Sequence, residues 1–203
     1  MKYVRLLGTG LALTLALAGH AAAQAAWDSP LLLPPRPTPG FGIFLAEVHG
    51  ADLGVLGTWR SGGVGALGVR FGIADRPGGL AGFGGVDFSG TLTRASSDFP
   101  LDISWIAGAG AGFGRWLRVS FPFGVSIGHT FTGDGVRFTP YLSPRLVLDG
   151  NFGRNRPRVP DDDRLNLGFA ADLGIDIDPG SGWLVRFGGT FGDRDAIAIG
   201  IVF

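Results

Sequence analysis

The sequence predicts an all-β chain whose antiparallel strands close into a barrel. Three observations carry that expectation. Apolar and polar residues alternate with period two in one segment after another, as in strands with two different faces. Glycine supplies 37 of 203 residues, far above the usual ~7 %, beside 11 % aromatics, which suits many turns and tightly packed strands better than a flexible low-complexity chain. The chain also ends on "RDAIAIGIVF", where Ile197, Ile199, Ile201 and Phe203 make one wholly apolar face.

Taken in order, the first element is an export signal. Lys2 and Arg5 precede an apolar run from Leu6 to Ala18, and small residues ending in Ala23-Gln24-Ala25 suit signal-peptidase cleavage, so residues 1–25 are expected to be a cleaved helical signal peptide. Its apolar core is shorter than the ~20 residues a spanning helix needs. Residues 26–40 contain "WDSPLLLPPRPTPG", whose proline density blocks helix and sheet alike; they read as an extended linker. The barrel is expected over residues 41–203, in segments near 41–49, 52–60, 63–74, 80–92, 101–113, 117–131, 136–148, 165–177, 182–192 and 195–203. That is ten strands, or eight if the first two pairs fuse. Pro122, Pro140 and Pro144 fall inside these segments, and because proline lacks a ladder donor they are expected to sit at bulges.

The alternation indicates which solvent each face meets. In "LNLGFAADLGIDID" one face carries Leu165, Leu167, Phe169, Leu173, Ile175 and Ile177, and the other Asn166, Asp172, Asp176 and Asp178 among small residues. In "LRVSFPFGVSIGHTF" Leu117, Val119, Phe121, Phe123, Val125 and Ile127 oppose Arg118, Ser120 and Ser126. Polar faces built of Gly, Ser, Asp and Arg suit a narrow lumen in which charges pair, with the apolar face turned to lipid. Segments of this length match the ~9 to 11 residues of a tilted membrane strand.

An export signal, short alternating segments and a last strand ending in Phe203 resemble the small bacterial outer-membrane β-barrel proteins of the OmpA, OmpX and OmpW kind. The resemblance covers Phe41 to Phe203 as a pattern. It implies a location in the cell outer membrane, contact with its lipid and lipopolysaccharide, and a C-terminal strand (Ile197, Ile199, Ile201, Phe203) read by the barrel-assembly machinery. With the last strand running toward the periplasm, the connection from Asp149 to Arg164 is extracellular and "DPGSG" at 178–182 is periplasmic. Long connections would then gather outside and short turns inside. Trp183, Phe131 and Phe203 would girdle the periplasmic rim, and Trp116 and Phe113 the outer one.

Candidate site residues follow from parity. Arg70, Asp87, Asp102, Arg118, Arg137, Tyr141, Arg145, Asp172, Asp176 and Arg186 fall on lumen-facing positions, where unpaired charge is costly, so a buried ion-pair network is expected. The loop "DGNFGRNRPRVPDDDR" sets Arg154, Arg156 and Arg158 against Asp161, Asp162 and Asp163. It reads either as a self-cancelling solvated loop or as a contact for lipopolysaccharide phosphate or a divalent cation.

Other chemistry is poorly supplied. There is no cysteine, so neither disulfides nor a thiolate metal site are available, and no cofactor is implied. Formal charge is zero, slightly acidic once Lys2 and Arg5 are removed, which gives no basic field for nucleic acid. "GVSIG" (Gly124 to Gly128) matches a nucleophile elbow but lacks a following helical pattern, and "GAGAGFG" lacks dinucleotide-loop spacing; small residues in crowded strands explain both. His49, His129 and Glu47 make a poor constellation for a lipid-modifying enzyme. The expected function is a non-enzymatic structural or interaction barrel with a filled, ion-paired lumen. A narrow channel for small polar or ionic solutes is the alternative, and a soluble secreted barrel with an apolar ligand is a third reading.

Overall fold

The computed structural model describes residues 25–62, 65–114, 117–152 and 165–203. They form β1 (Gly40–Glu47), β2 (Leu53–Arg60), β3 (Ala66–Arg76), β4 (Gly79–Thr93), β5 (Asp102–Phe113), β6 (Leu117–Gly128), β7 (Phe131–Gly133), β8 (Val136–Phe152), β9 (Leu165–Asp178), β10 (Leu184–Gly192) and β11 (Ala196–Val202). Successive strands are antiparallel neighbours from β1 to β6 and from β8 to β11; β1 also meets β11 and β6 meets β8, so the sheet closes on itself. The short β7 continues the line of β6 along β8 after a break at His129 and Thr130, so the closed barrel has ten staves. Phe203 fastens the seam: its N–H donates to Phe41 O (2.8 Å) and its carbonyl accepts from Phe41 N–H (2.7 Å).

The three prolines do not make bulges. Register is constant along β6–β8 and along β8–β9, where Pro140 faces Ile175 and Pro144 faces Ala171; the one register shift of β4–β5 lies at Thr91 and Thr93. Each proline turns its missing donor toward a gap in one ladder while the ladder on its other side stays continuous. Pro122 faces the interruption between Ala107↔Phe123 and Gly110↔Ser120, Pro144 the one between Gly124↔Arg145 and Ile127↔Leu142, and Pro140 the break between β6 and β7. One intact ladder holds the register, so no residue need be extruded.

Burial alternates in the sense expected for a barrel turned inside out. Phe41, Ile43 and Leu45 on β1, Phe121 and Phe123 on β6, Leu165, Leu167 and Phe169 on β9, and Ile197, Ile199 and Ile201 on β11 all point outward and are exposed. Arg70, Asp87, Arg145, Asp172 and Arg186 point inward and are buried. The rim holding the chain terminus, here the carboxyl rim, carries exposed Phe131, Trp183 and Phe203; Phe113 is exposed at the far rim, and Trp116 lies outside the described residues. Described connections do not sort by length: 94–101 lies at the carboxyl rim, whereas 77–78 and 193–195 lie at the far one.

Candidate functional site

The proline-rich segment expected as an extended linker lies inside the barrel, and it begins with a turn in which Ser29 N–H donates to Ala26 O (3.2 Å). Residues 25–35 are buried throughout. The segment runs the length of the lumen: at the far rim Ala26 N–H donates to His49 O (3.0 Å), and at the carboxyl rim Arg36 reaches Asp102 (2.6 Å) just before Gly40 begins β1. Eight staves enclose a bore that side chains alone can fill, and ten enclose more. Here a length of chain takes up the difference.

Pro30, Pro34 and Pro35 have no N–H, and the segment meets the wall chiefly through its backbone carbonyls. The wall supplies the donors. Arg145 Nη2 donates to Asp28 O (2.8 Å), Arg70 Nη1 and Nη2 to Pro30 O (2.9 Å) and Leu31 O (2.6 Å), and Arg186 Nη1 to Leu32 O (3.3 Å). Ser126 and Ser143 both donate to Leu33 O, at 2.6 and 2.9 Å. The segment's one carboxylate, Asp28, lies 2.8 Å from Arg194 and 3.6 Å from Arg145. Trp27 donates its indole N–H to Ser120 O (3.1 Å), with the Arg70 guanidinium 5.9 Å from its ring centroid.

These donors are held in place by carboxylates. Asp172 pairs with Arg145 and accepts from Thr190, Asp87 pairs with Arg60 and lies 3.6 Å from Arg70, and Asp176 takes Arg186 on both oxygens at 2.7 Å. Asp149 takes Arg194 (2.6 Å) and the Ser120 hydroxyl (2.6 Å). A buried guanidinium engaged on one side by a carboxylate presents its remaining N–H groups in a fixed direction.

Of the residues singled out by parity, Arg70, Asp87, Asp102, Tyr141, Arg145, Asp172, Asp176 and Arg186 are buried inside the barrel. Arg118 is partly buried and bonds Asn151 (3.4 Å) toward the far rim. Arg137 does not join the network: it sits near the start of β8 at the carboxyl rim, exposed and paired with Asp178, because alternation continues past the point where the barrel encloses anything. Arg60, Arg194, Asp149 and Asp28 belong to the network without having been singled out. Arg60 and Asp149 had readable parity, but Asp28 lies in the supposed linker and Arg194 in a turn, where alternation says nothing.

The lumen is also partly apolar. Phe44, Leu56, Phe83, Leu184 and Val202 point inward and pack in one cluster with Leu31, Leu32 and Leu33. Beside these leucines a cavity of about 20 Å³ remains, close to the volume of a single water, while a larger one of about 200 Å³ is confined to the carboxyl rim near Pro35 and Arg36. Neither makes a path through the bore.

The motif-like stretches find physical explanations in the segment. In "GAGAGFG", a Cβ on Gly108 or Gly110 would lie 2.8 or 2.5 Å from the Trp27 ring, and one on Gly112 would overlap the Ala25 carbonyl. Ser126 of "GVSIG" lies within β6 with its hydroxyl on Leu33 O, and no sharp strand-to-helix turn follows. Glu47 is exposed, His129 stacks edge-on with Phe131 (4.5 Å) at the carboxyl rim, and His49 lies at the far rim, so the barrel separates the two histidines. No group of acidic and histidine ligands able to hold a metal occurs among the described residues. Arg154, Arg156, Arg158, Asp161, Asp162 and Asp163 lie outside them.

His49 marks the far end of the segment electrostatically. Its Nδ1 accepts from Asp195 N–H (3.2 Å), and burial, reinforced by Arg118 and Arg194, lowers its pKa to about 4. Neutral imidazole is the form that can accept there.

No family model, no curated protein and no solved structure matches the chain.

Proposed function

We propose that this chain is an integral protein of the cell outer membrane, a structural or interaction barrel whose bore is held shut by its own N-terminal segment. The observation that carries the reading is the reversed alternation: an outer surface of exposed Phe, Leu and Ile around an interior of paired Arg and Asp, the distribution that water penalises and lipid rewards. An exposed apolar face on β11 that ends in Phe203 supports recognition by the barrel-assembly machinery, and the outer band supports contact with lipid and lipopolysaccharide. Export with removal of residues 1–25 would leave Ala26 as a free end, so the segment could enter the lumen without being threaded. No catalytic role is assigned. A narrow channel is the second reading, favoured by the ion-paired bore between the two rims, and it requires the segment to leave.

Fluorescence in lipid vesicles tests the membrane placement. Trp59, Trp105 and Trp183 are partly exposed on the outside, whereas Trp27 is buried in the lumen. In folded protein reconstituted with brominated acyl chains, single-tryptophan variants retaining an outer Trp should be quenched strongly and the one retaining Trp27 weakly. Equal quenching, or release of the protein by carbonate, would rule the placement out. Planar-bilayer recordings of protein whose unheated gel band runs apart from its boiled band should be silent.

A further inference from the structure

The wall's contacts to the N-terminal segment are those of a binding site. A core built for stability alone fills space with side chains. Here side-chain donors on four different strands reach the carbonyls of Asp28, Pro30, Leu31, Leu32 and Leu33. That pattern reads a backbone, carbonyl by carbonyl. Selectivity comes from three further features: two guanidiniums on the Asp28 carboxylate, a glycine-lined slot for Trp27, and an apolar patch for the leucines. The seated conformation is not one the segment prefers, since Leu32 holds a φ of 47°, a left-handed geometry unfavourable for leucine. Contacts with the wall keep it there.

We propose that the lumen is a peptide-binding site for a proline-containing segment bearing one carboxylate, and that Ala26 to Arg36 is its resident ligand, held in cis. The same chemistry could reach the site from a second source, an external peptide that exchanges with the resident one. Tethering gives the resident segment a high effective concentration, so an external peptide binds measurably only where the resident is weakened or the competitor is in large excess. This inference depends on the barrel interior alone and holds in detergent as in a bilayer.

The chain has no cysteine, so Leu31→Cys, at a position 2 % exposed, introduces a single thiol that reports whether the segment is seated. In the full-length chain carrying that reporter, Asp28→Arg would place a third guanidinium between Arg145 and Arg194. The barrel should keep its heat-shifted gel band while the reporter thiol reacts with maleimide about 100-fold faster, the scale expected when one member of a buried charge cluster is reversed. A fluorescein-labelled peptide of the sequence Ala26 to Arg36 should bind this variant, and the same peptide with Asp28→Arg should bind at least about 30-fold more weakly. Binding of the unaltered peptide to the parent chain, displacing the resident segment, would identify an external peptide as a second ligand; its confinement to the variant would identify a ligand in cis. The inference is overturned if folded Asp28→Arg protein keeps the reporter thiol as protected as in the parent, if no peptide binds once that thiol is accessible, or if the two peptides bind alike. Should Asp28→Arg lack the shifted band, Asp28→Asn carries the labelling test: about 10-fold faster reaction supports the site, and unchanged protection defeats it.

Discussion

Trp27→Ala should unseat the N-terminal segment without opening the barrel. The indole is 1 % exposed and lies against β4 and β5, where Gly85, Gly108 and Gly110 leave it room. Truncating a buried tryptophan to alanine costs about 3 to 5 kcal/mol. That range already contains the indole hydrogen bond to Ser120 O, worth about 1 kcal/mol net, and the Arg70 contact, worth about 0.5 to 1 kcal/mol. Because Trp27 touches the wall only while the segment is seated, most of the loss should fall on the seated state. A shift of about 4 kcal/mol is close to a thousandfold in the equilibrium between seated and released forms. Maleimide labelling of the Leu31→Cys chain reads that equilibrium, and heat-modifiability reads the barrel. Acceleration of two to three decades with the shifted band retained is the expected result. A rate unchanged within about threefold would refute the reasoning, since it would mean that the segment stays seated without its largest anchor.

Gly85→Val should reproduce the effect from the other side, because the nearest atoms its Cβ would meet all belong to the Trp27 ring; combined with Trp27→Ala it should cost much less than the sum, and strict additivity in a double-mutant cycle would argue against contact. Asp172→Ala removes the carboxylate that holds fully buried Arg145 and accepts from Thr190, and should lower the urea midpoint in micelles by an amount equivalent to about 3 kcal/mol; an unchanged midpoint would mean that the charge finds another partner. Stability should also fall with acid through His49. Its folded pKa of about 4 lies below the unfolded value of 6.5, so its contribution is complete above pH 6.5 and is lost as pH falls toward 4. Between pH 7 and 5 the loss attributable to this residue is about 2 kcal/mol, and His49→Gln, which keeps an acceptor for Asp195 N–H, should flatten that part of the profile; identical profiles would remove His49 as the cause.

What the sequence settles about this protein is whatever period two can encode. Alternation along "LNLGFAADLGIDID" is enough to place the strand, to give Asp172 and Asp176 one face and the leucines the other, and, repeated ten times, to predict a barrel. It is weakest where both faces are apolar or where the strand runs out. In "GFGIFLAE" nothing in the pattern tells that Phe44 turns inward while Phe41 and Ile43 turn outward, and at Arg137 the pattern continues past the rim. The fate of residues 26–40 lay beyond any local signal. Proline density excludes helix and interior ladder, and solvent and a lumen satisfy that restriction equally well, because both can hydrogen-bond a backbone that bonds to no strand. Only closure of ten staves makes a bore too wide for its own side chains, brings Arg70, Arg145, Arg186, Ser126 and Ser143 from distant points of the chain around one axis, and so decides that the segment before β1 belongs inside. The glycines of "GAGAGFG" were legible as small, but the ring they make room for is more than eighty residues away in sequence, and contact at that separation is a property of the closed barrel alone.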